Sequence, residues 1–269
     1  MTKLSFLILT MIFHAACAHV AVQRGLKLSS TRLEQGSVLT IENCSGPIDD
    51  PLLFPNPDRS NCQIGFFAIP FDAPLGPQAL TLGGQTISYE VTDARFASER
   101  LSVDPDKVKL SPENQERVKQ ESAEIKAIYG TKESELLFKS KFKLPLSSTQ
   151  TSTYGIKRLF NGEMKSHHNG VDFRASPGTP IYASNKGRVR LAKDYFLAGN
   201  VVLIDHGGGI FTNYCHLSEF KVKEGDEVKR GQIIGLSGTT GRISGPHLHW
   251  GLRVHGVEAN PLSLLSLRL

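Results

Sequence analysis

The sequence is poor in the features that mark several classes of protein. No apolar run reaches the roughly 18 residues that a membrane-spanning helix needs, so no such helix is expected. Four cysteines in 269 residues are too few for a scaffold built on disulfides. The net charge is +5, but the basic residues form no run of five or more. This charge pattern favours acidic surroundings and indicates no nucleic-acid partner.

Residues 1–18 have the features of a secretory signal peptide. A positive start at Lys3 precedes an apolar core and a cleavage site made of small residues. We therefore expect export to the periplasm or cell envelope. The same segment resembles a lipobox, although His14 stands where leucine is usual. Two mature forms stay open: a soluble protein and an outer-membrane lipoprotein with a lipid anchor at Cys17.

Export also bears on the other cysteines. Cys44 and Cys62 lie in one N-terminal segment, and an oxidising compartment would allow them to form a disulfide, which we predict. Cys215 lies inside a strand-like run, where we expect it to be a small buried apolar residue.

Residues 19–108 are predicted to form a small β-sandwich. Strand-like runs occur at residues 37–41, 65–69 and 87–91, with turn residues between them. This spacing is typical of antiparallel sandwiches. No cluster of catalytic side chains is found here, so we interpret the segment as an accessory module.

Residues 109–153 are predicted to contain a connecting helix and a linker. Ser111 fits the N-cap position of the helix, Pro112 its first position, and Gly130 its end. The polar segment at 144–153 has the composition of a linker or strap.

Residues 154–269 are predicted to be a compact β domain, which makes the whole protein mainly β. An apolar strand is expected at residues 201–204, and residues 210–216 are expected to be its hairpin partner. Glycine-rich turns separate these runs, and no sustained helical period occurs.

The histidines concentrate in this last segment, which contains seven of the nine. His168 and Asp172 are four residues apart, and His247 and His249 are two apart. Residues i and i+2 of a strand point to the same face, so the last two imidazoles can enter one site. Two imidazoles and one carboxylate leave the fourth position of a tetrahedral zinc ion open, which is the catalytic arrangement.

These motifs occur in an order that resembles a known family. The resemblance is carried by His168-Asn-Gly-Val-Asp172-Phe173, Gly178-Thr-Pro-Ile-Tyr-Ala183, Tyr214-Cys-His-Leu217, and residues 225–235 and 241–249. Residues 154–262 are similar to the catalytic domain of the lysostaphin-type (LytM-like) zinc endopeptidases of metallopeptidase family twenty-three. The resemblance implies an antiparallel β-sheet peptidase fold of the duplicated-hybrid-motif type, with its site in a groove.

The resemblance also implies roles for individual residues. His168, Asp172 and His249 would bind one zinc ion per chain, and His216 and His247 would be catalytic histidines outside the ligand set. The substrate would be the peptide cross-links of bacterial peptidoglycan. Which cross-link is cut, which histidine is the general base, the task of the N-terminal module and the oligomeric state stay open. An alternative is a non-catalytic LytM-like activator of another cell-wall hydrolase, but such members commonly lose zinc ligands, whereas every position is filled here.

Overall fold

The computed structural model describes residues 25–101, 110–131, 135–160, 163–243, 245–267 and 269. The predicted signal peptide and the lipobox cysteine Cys17 lie outside these described residues. The described part is mainly β, as the sequence predicts, with one long α-helix. No helix within the described ranges has both the length and the apolar character needed to cross a bilayer.

The N-terminal segment forms two small sheets. Its strands are β1 (Leu26–Leu28), β2 (Arg32–Glu34), β3 (Val38–Asn43), β4 (Leu53–Pro55), β5 (Gln63–Ala68), β6 (Gly76–Leu82), β7 (Gln85–Thr92) and β8 (Ser98–Leu101). One sheet has the order β1-β3-β5-β4 and is antiparallel throughout. The other has the order β2-β7-β6, in which β6 and β7 form an antiparallel hairpin and β2 runs parallel to β7.

Both sheets contribute to one apolar cluster. Leu39 and Ile41 come from the first sheet and Leu82 and Val91 from the second, and all four are buried. A shared core between two face-packed sheets is the defining feature of a sandwich, so the fold predicted for this segment is confirmed. The parallel pairing of β2 with β7 is the one departure, among the described strands here, from a purely antiparallel sandwich.

The helix α1 (Pro112–Gly130) begins as predicted. The Ser111 side chain accepts a hydrogen bond from the backbone N–H of Asn114, and Pro112 occupies the first turn. Most of its surface is exposed, and Tyr129 in its last turn is buried. The helix therefore depends on contacts with the rest of the protein rather than on a wide apolar face of its own.

The C-terminal segment is dominated by one large sheet. Its elements are β9 (Gln150–Ser152), β10 (Lys157–Phe160), β11 (Glu163–His167), β12 (Gly170–Arg174), β13 (Pro180–Tyr182), β14 (Gly187–Tyr195), β15 (Gly199–Asp205), β16 (Ile210–Phe220), β17 (Glu227–Val228), β18 (Ile233–Ser237), β19 (His247–Val254), β20 (Val257–Ala259) and a short 3-10 helix (Pro261–Ser266). The main order is β17-β14-β15-β16-β19-β12-β9, with β13, β18 and β20 attached beside it. All pairs within this sheet are antiparallel.

Residues 150–152, which the sequence analysis places in a linker, form the edge strand β9 beside β12. Their composition of glutamine, threonine and serine has no apolar alternation, so the strand has no signal in the sequence. Its backbone pairing, rather than burial of its side chains, attaches it to the sheet.

The two segments share a core. Phe66 of β5 belongs to the main apolar cluster of the C-terminal segment and lies 6.1 Å, ring centre to ring centre, from Phe138. In addition, β8 pairs in parallel with β10, which joins them through backbone hydrogen bonds. The N-terminal module is thus packed into the protein rather than linked to it by a tether alone.

The cysteine predictions are confirmed. Cys44 and Cys62 form a disulfide that closes a loop with a sequence separation of 18. Cys215 is a buried free cysteine in β16, and burial, with a smaller contribution from Asp172, raises its thiol pKa to about 12. It is therefore an unreactive thiol at neutral pH.

Candidate functional site

Two paired strands bring together three of the predicted site residues. Asp172 in β12 lies directly opposite His249 in β19, and His168 comes from the turn just before β12. The His249 Nδ1 atom is 2.9 Å from Oδ1 of Asp172, and His168 Nε2 is 3.0 Å from the same oxygen. The two ring nitrogens are 3.1 Å apart. Three potential ligand atoms thus form a nearly equilateral triangle.

This triangle fits a metal ion. A tetrahedral zinc ion with bonds of about 2.0–2.1 Å has neighbouring ligand atoms roughly 3.3 Å apart, close to the spacing observed. His168, Asp172 and His249 form a group of metal-compatible ligands within the described residues. The donor set of two imidazoles and one carboxylate suits zinc chemically.

Gly170 leaves room for the side chain of His249. A Cβ atom added at Gly170 would lie 2.6 Å from Cε1 of His249 and 2.5 Å from the backbone oxygen of Trp250. Contacts this short do not occur between real atoms, so only glycine leaves space for the His249 ring. The sequence contains a signal for this role, since Gly170 lies between His168 and Asp172.

The surroundings fix the orientation of the His168 ring. Its Nδ1–H donates to the backbone carbonyl oxygen of Thr153 at 2.8 Å, and the Ser152 hydroxyl is 3.1 Å from the same nitrogen. A carbonyl only accepts, so Nδ1 carries a proton, and Nε2 is the ring nitrogen directed at Asp172 and His249. The sequence analysis did not select Ser152 or Thr153.

Burial and the neighbouring histidines shift the pKa of the Asp172 carboxyl in opposite directions. Burial raises the pKa of Asp172, but the hydrogen bonds and charges of His168 and His249 more than offset it and hold the pKa well below its usual range. Burial lowers the pKa of His249, and the nearby carboxylate of Asp172 opposes that change. The carboxylate is therefore ionised, as a metal ligand must be.

His216 reaches the same site through an irregular strand. Between the pairs Asn200–Leu217 and Val202–Tyr214, β16 has one residue more than β15, which forms a β-bulge. His216 lies in this bulge with φ of 62°, a left-handed conformation that non-glycine residues rarely adopt. Its Nδ1–H donates to the backbone oxygen of Thr240 at 2.9 Å.

His247 completes the group. Its ring centre is 4.8 Å from that of His216, and its Nε2 is 3.8 Å from Oδ1 of Asp172. Its Nδ1–H donates to the backbone oxygen of Gly245 at 2.8 Å. Because each Nδ1 is bonded to a carbonyl, the Nε2 atoms of His216 and His247 are the ring nitrogens left for proton transfer.

Burial lowers the pKa of His216 to about 4, opposed by its hydrogen bond to Thr240. The imidazole is therefore neutral at neutral pH and has a lone pair on Nε2. All five residues predicted for the site lie in one cluster.

Three other histidines have different surroundings. His167 stacks on Phe71 with ring centres 4.0 Å apart and is 3.1 Å from Glu258. His206 is fully buried, where its ring nitrogens contact Lys186 O and the Thr212 hydroxyl. His255 occupies the turn between β19 and β20. None of them belongs to the cluster.

Comparisons with known proteins identify similar domains. The model of "Peptidase family M23" matches residues 166–261. The peptidoglycan DD-endopeptidase ShyA of Vibrio cholerae is 50% identical over 95 residues, which are 35% of this chain and 22% of that protein. The DD-carboxypeptidase/endopeptidase Mpg of Neisseria meningitidis is 43% identical over 97 residues, which are 36% of this chain and 22% of that protein.

A solved structure from Pseudomonas aeruginosa, described as a peptidase M23, matches over a greater length. It is 29% identical, has a TM-score of 0.64, and the match covers 84% of this chain and 87% of that one. The matched segment of this chain spans only 22% of the length of the two curated relatives.

Proposed function

We propose that this protein is a zinc endopeptidase that hydrolyses peptide cross-links of bacterial peptidoglycan. The first support is that residues 166–261 match the model of peptidase family M23. The observation that carries the proposal is the complete site. Three potential ligand atoms converge within 3.1 Å of one another, and two further histidines lie beside them with each Nδ1 hydrogen-bonded to a backbone oxygen.

The ligand set indicates what the metal contributes. Zinc held by His168, Asp172 and His249 would polarise the carbonyl of the scissile peptide and lower the pKa of water to about 7. Three protein ligands leave one position open, which distinguishes a catalytic site from a closed structural one.

His216 and His247 would manage the protons. One Nε2 would accept a proton from the attacking water and then donate that proton to the leaving amine, and the other histidine, when protonated, would donate a hydrogen bond to the oxyanion. The backbone carbonyls of Thr240 and Gly245 keep both rings oriented, so little reorganisation is needed during the reaction. The two roles belong to His216 and His247 as a pair, and we do not assign the base or the acid to either one.

The curated relatives support a substrate and a location. Both are named for endopeptidase activity, and ShyA is named a peptidoglycan DD-endopeptidase. We therefore propose the D,D-peptide cross-link as the bond cleaved and a location outside the cytoplasm, in the periplasm or cell envelope. A lipid anchor at Cys17 stays a prediction from the sequence alone.

A second candidate is an activator that docks on another wall hydrolase without cleaving a bond itself. Such a protein needs a groove but no metal ligands and no oriented histidines. The completeness of this site favours the enzyme.

The test is cleavage by the purified mature chain. We expect purified cross-linked muropeptide dimers to yield monomers with intact glycan, detected by mass spectrometry. A chelator should abolish the reaction, and zinc should restore it. An Asp58→Ala variant, which removes an exposed carboxylate far along the chain, is the matched control and should cleave normally.

Two outcomes would contradict the proposal. Dimers left intact while the protein stimulates an amidase in a cell extract would establish the activator instead. Cleavage that persists in chelated, metal-free protein would exclude the zinc mechanism.

A further inference from the structure

The helix α1 lies outside the segment matched by the family, yet it contacts the tip of the β14–β15 hairpin through a charged side chain. Both carboxylate oxygens of Glu121 lie 3.0 Å from the backbone nitrogen of Phe196 and accept its hydrogen bond. The Glu121 side chain is only 14% exposed. A carboxylate that accepts a backbone N–H in such a place forms a strong, charge-assisted bond.

Arg117 holds this carboxylate in position. Its Nε donates to Glu121 at 2.7 Å, and its second terminal nitrogen donates to Asp194 at 2.8 Å. The guanidinium also lies 5.7 Å from the centre of the Phe196 ring. Helix and hairpin tip are thus joined through two residues of the hairpin, Asp194 and Phe196, not through one exposed ion pair.

Apolar packing supports the same contact. Tyr129 of the helix packs edge-on against Phe211, with ring centres 5.3 Å apart. Both belong to a small cluster with Tyr195 at the hairpin tip, and Ile125 and Ala198 pack against it. This cluster is separate from the main core, so the helix and the hairpin tip form a local unit.

The hairpin tip is in turn bonded to the catalytic region. The backbone N–H of His216 donates to the Ala198 oxygen at 2.9 Å, and that of Arg242 donates to the Leu197 oxygen at 3.0 Å. A Cβ atom at Gly199 would lie 2.4 Å from the carbonyl carbon of Thr240, so the tip and the loop that orients His216 are in close contact. The tip therefore supports both the backbone and the ring partner of His216.

His216 needs such support because its φ of 62° is disfavoured. A residue in this region persists only when the surrounding structure imposes it. We propose that Glu121 is a positioning residue for His216. Glu121 acts by fixing the hairpin tip at residues 195–199. This inference rests on the proposed function in one respect only, namely that His216 takes part in catalysis.

Glu121→Met and Glu121→Gln test the inference as a pair. Methionine and glutamine are close to glutamate in size and helix propensity, but only glutamine keeps an oxygen that can accept from Phe196. Glu116→Ala is the control, because Glu116 is on the same helix and its ion pair is with Lys119, away from the hairpin. Each protein is assayed with muropeptide dimers, for metal content, and by amide hydrogen exchange at residues 195–199 and 216.

We expect Glu121→Met to lower kcat about tenfold, less than direct loss of an acid–base group would, with KM and metal content unchanged. Exchange at the His216 amide should become faster in the same variant. Glu121→Gln should recover most of the turnover, and Glu116→Ala should match the wild type.

The inference is overturned if Glu121→Met keeps wild-type turnover and wild-type exchange at His216. It is also overturned if KM rises while metal content and kcat both fall, or if glutamine gives no recovery, because the effect would then be general loosening. Should the wild type cleave no dimers, the proposed function fails, and hydrogen exchange alone still decides whether Glu121 restrains His216.

Discussion

Two proposed metal ligands, Asp172 and His249, and one proposed catalytic histidine, His216, meet in one site but are held by different kinds of structure. Asp172 and His249 are direct partners in the regular ladder between β12 and β19. His216 lies in a bulge at a disfavoured φ, and its ring partner comes from the loop after β18. A regular ladder fixes side-chain directions by itself, whereas a bulge depends on what surrounds it.

The difference predicts how each of these residues responds to substitutions nearby. Asp172 and His249 should respond to substitutions in the ladder and be less sensitive to the loops. His216 should respond to the loop at Thr240 and to the hairpin tip. The following experiments test this contrast, from the largest expected effect to the smallest.

Loss of a ladder ligand should have the greatest effect. Asp172→Ala removes the carboxylate that both ligand histidines face, and we expect loss of bound zinc and a fall in turnover of more than about 10³-fold, since the metal supplies several kcal/mol. Metal analysis and the muropeptide assay measure the two effects. Wild-type zinc content in this variant would remove Asp172 from the ligand set.

Loss of either proposed catalytic histidine should separate catalysis from metal binding. In His216→Ala and His247→Ala we expect about 10²- to 10⁴-fold lower kcat, because proton transfer is lost, with one zinc ion still bound. The measurements are turnover and metal content of the same preparations. Full activity in either variant, or loss of its metal, would contradict the division between the two groups.

A methyl group in the ladder should weaken metal binding without removing a ligand. Gly170→Ala places a Cβ against the His249 ring and the Trp250 carbonyl, so the ring must move. We expect a zinc affinity about 10- to 100-fold lower, as for other changes that misorient a ligand. Competition with a chromogenic chelator measures it. Gly130→Ala, at a helical position with nothing within 4 Å, is the control and should leave the affinity unchanged.

In metal-free protein, acid should lower the free energy of unfolding by protonating buried histidines. Burial lowers the pKa of His206 from 6.5 to about 4, opposed by its hydrogen bond to Lys186. Between these values the unfolded chain binds a proton that the folded chain does not, so stability is full above pH 6.5 and falls as the pH drops to about 4. The loss is about 3 kcal/mol for His206, and His216 adds a similar contribution.

Denaturant unfolding at several pH values, with chelator present, measures this slope. A His206→Gln variant should have a smaller slope, because one of the buried histidines with a lowered pKa no longer titrates. A flat free energy of unfolding between pH 6.5 and 4 would contradict the cause given.

The side chains of the site were predictable from the sequence, and the backbone contacts and the bulge that orient them were not. The spacing of His247 and His249 indicates a shared strand face, and the family resemblance supplies the ligand set. By contrast, the backbone oxygens that orient His168, His216 and His247 leave no trace in residue identity. The bulge at His216 depends on pairing between strands distant in sequence, which a local pattern does not record.

The same limit applies to the organisation of the chain. The sequence predicts that a protein starting near residue 133 would fold and act by itself. That stays a prediction, but Phe66 packs on Phe138, and β8 pairs with β10. Removal of the N-terminal segment would therefore expose apolar surface and one unpaired edge of β10, and we expect the shortened protein to be less stable.

The hydrogen bonds to Thr153, Thr240 and Gly245 end on main-chain oxygens, which every amino acid provides. The identity of these three residues can consequently drift over evolutionary time while the tautomers of the site are preserved. What cannot drift is the path of the chain, so a single inserted or deleted residue near 153, 240 or 245 would do more damage than most substitutions there. We therefore expect homologues to preserve the loop lengths at these points rather than the residue types.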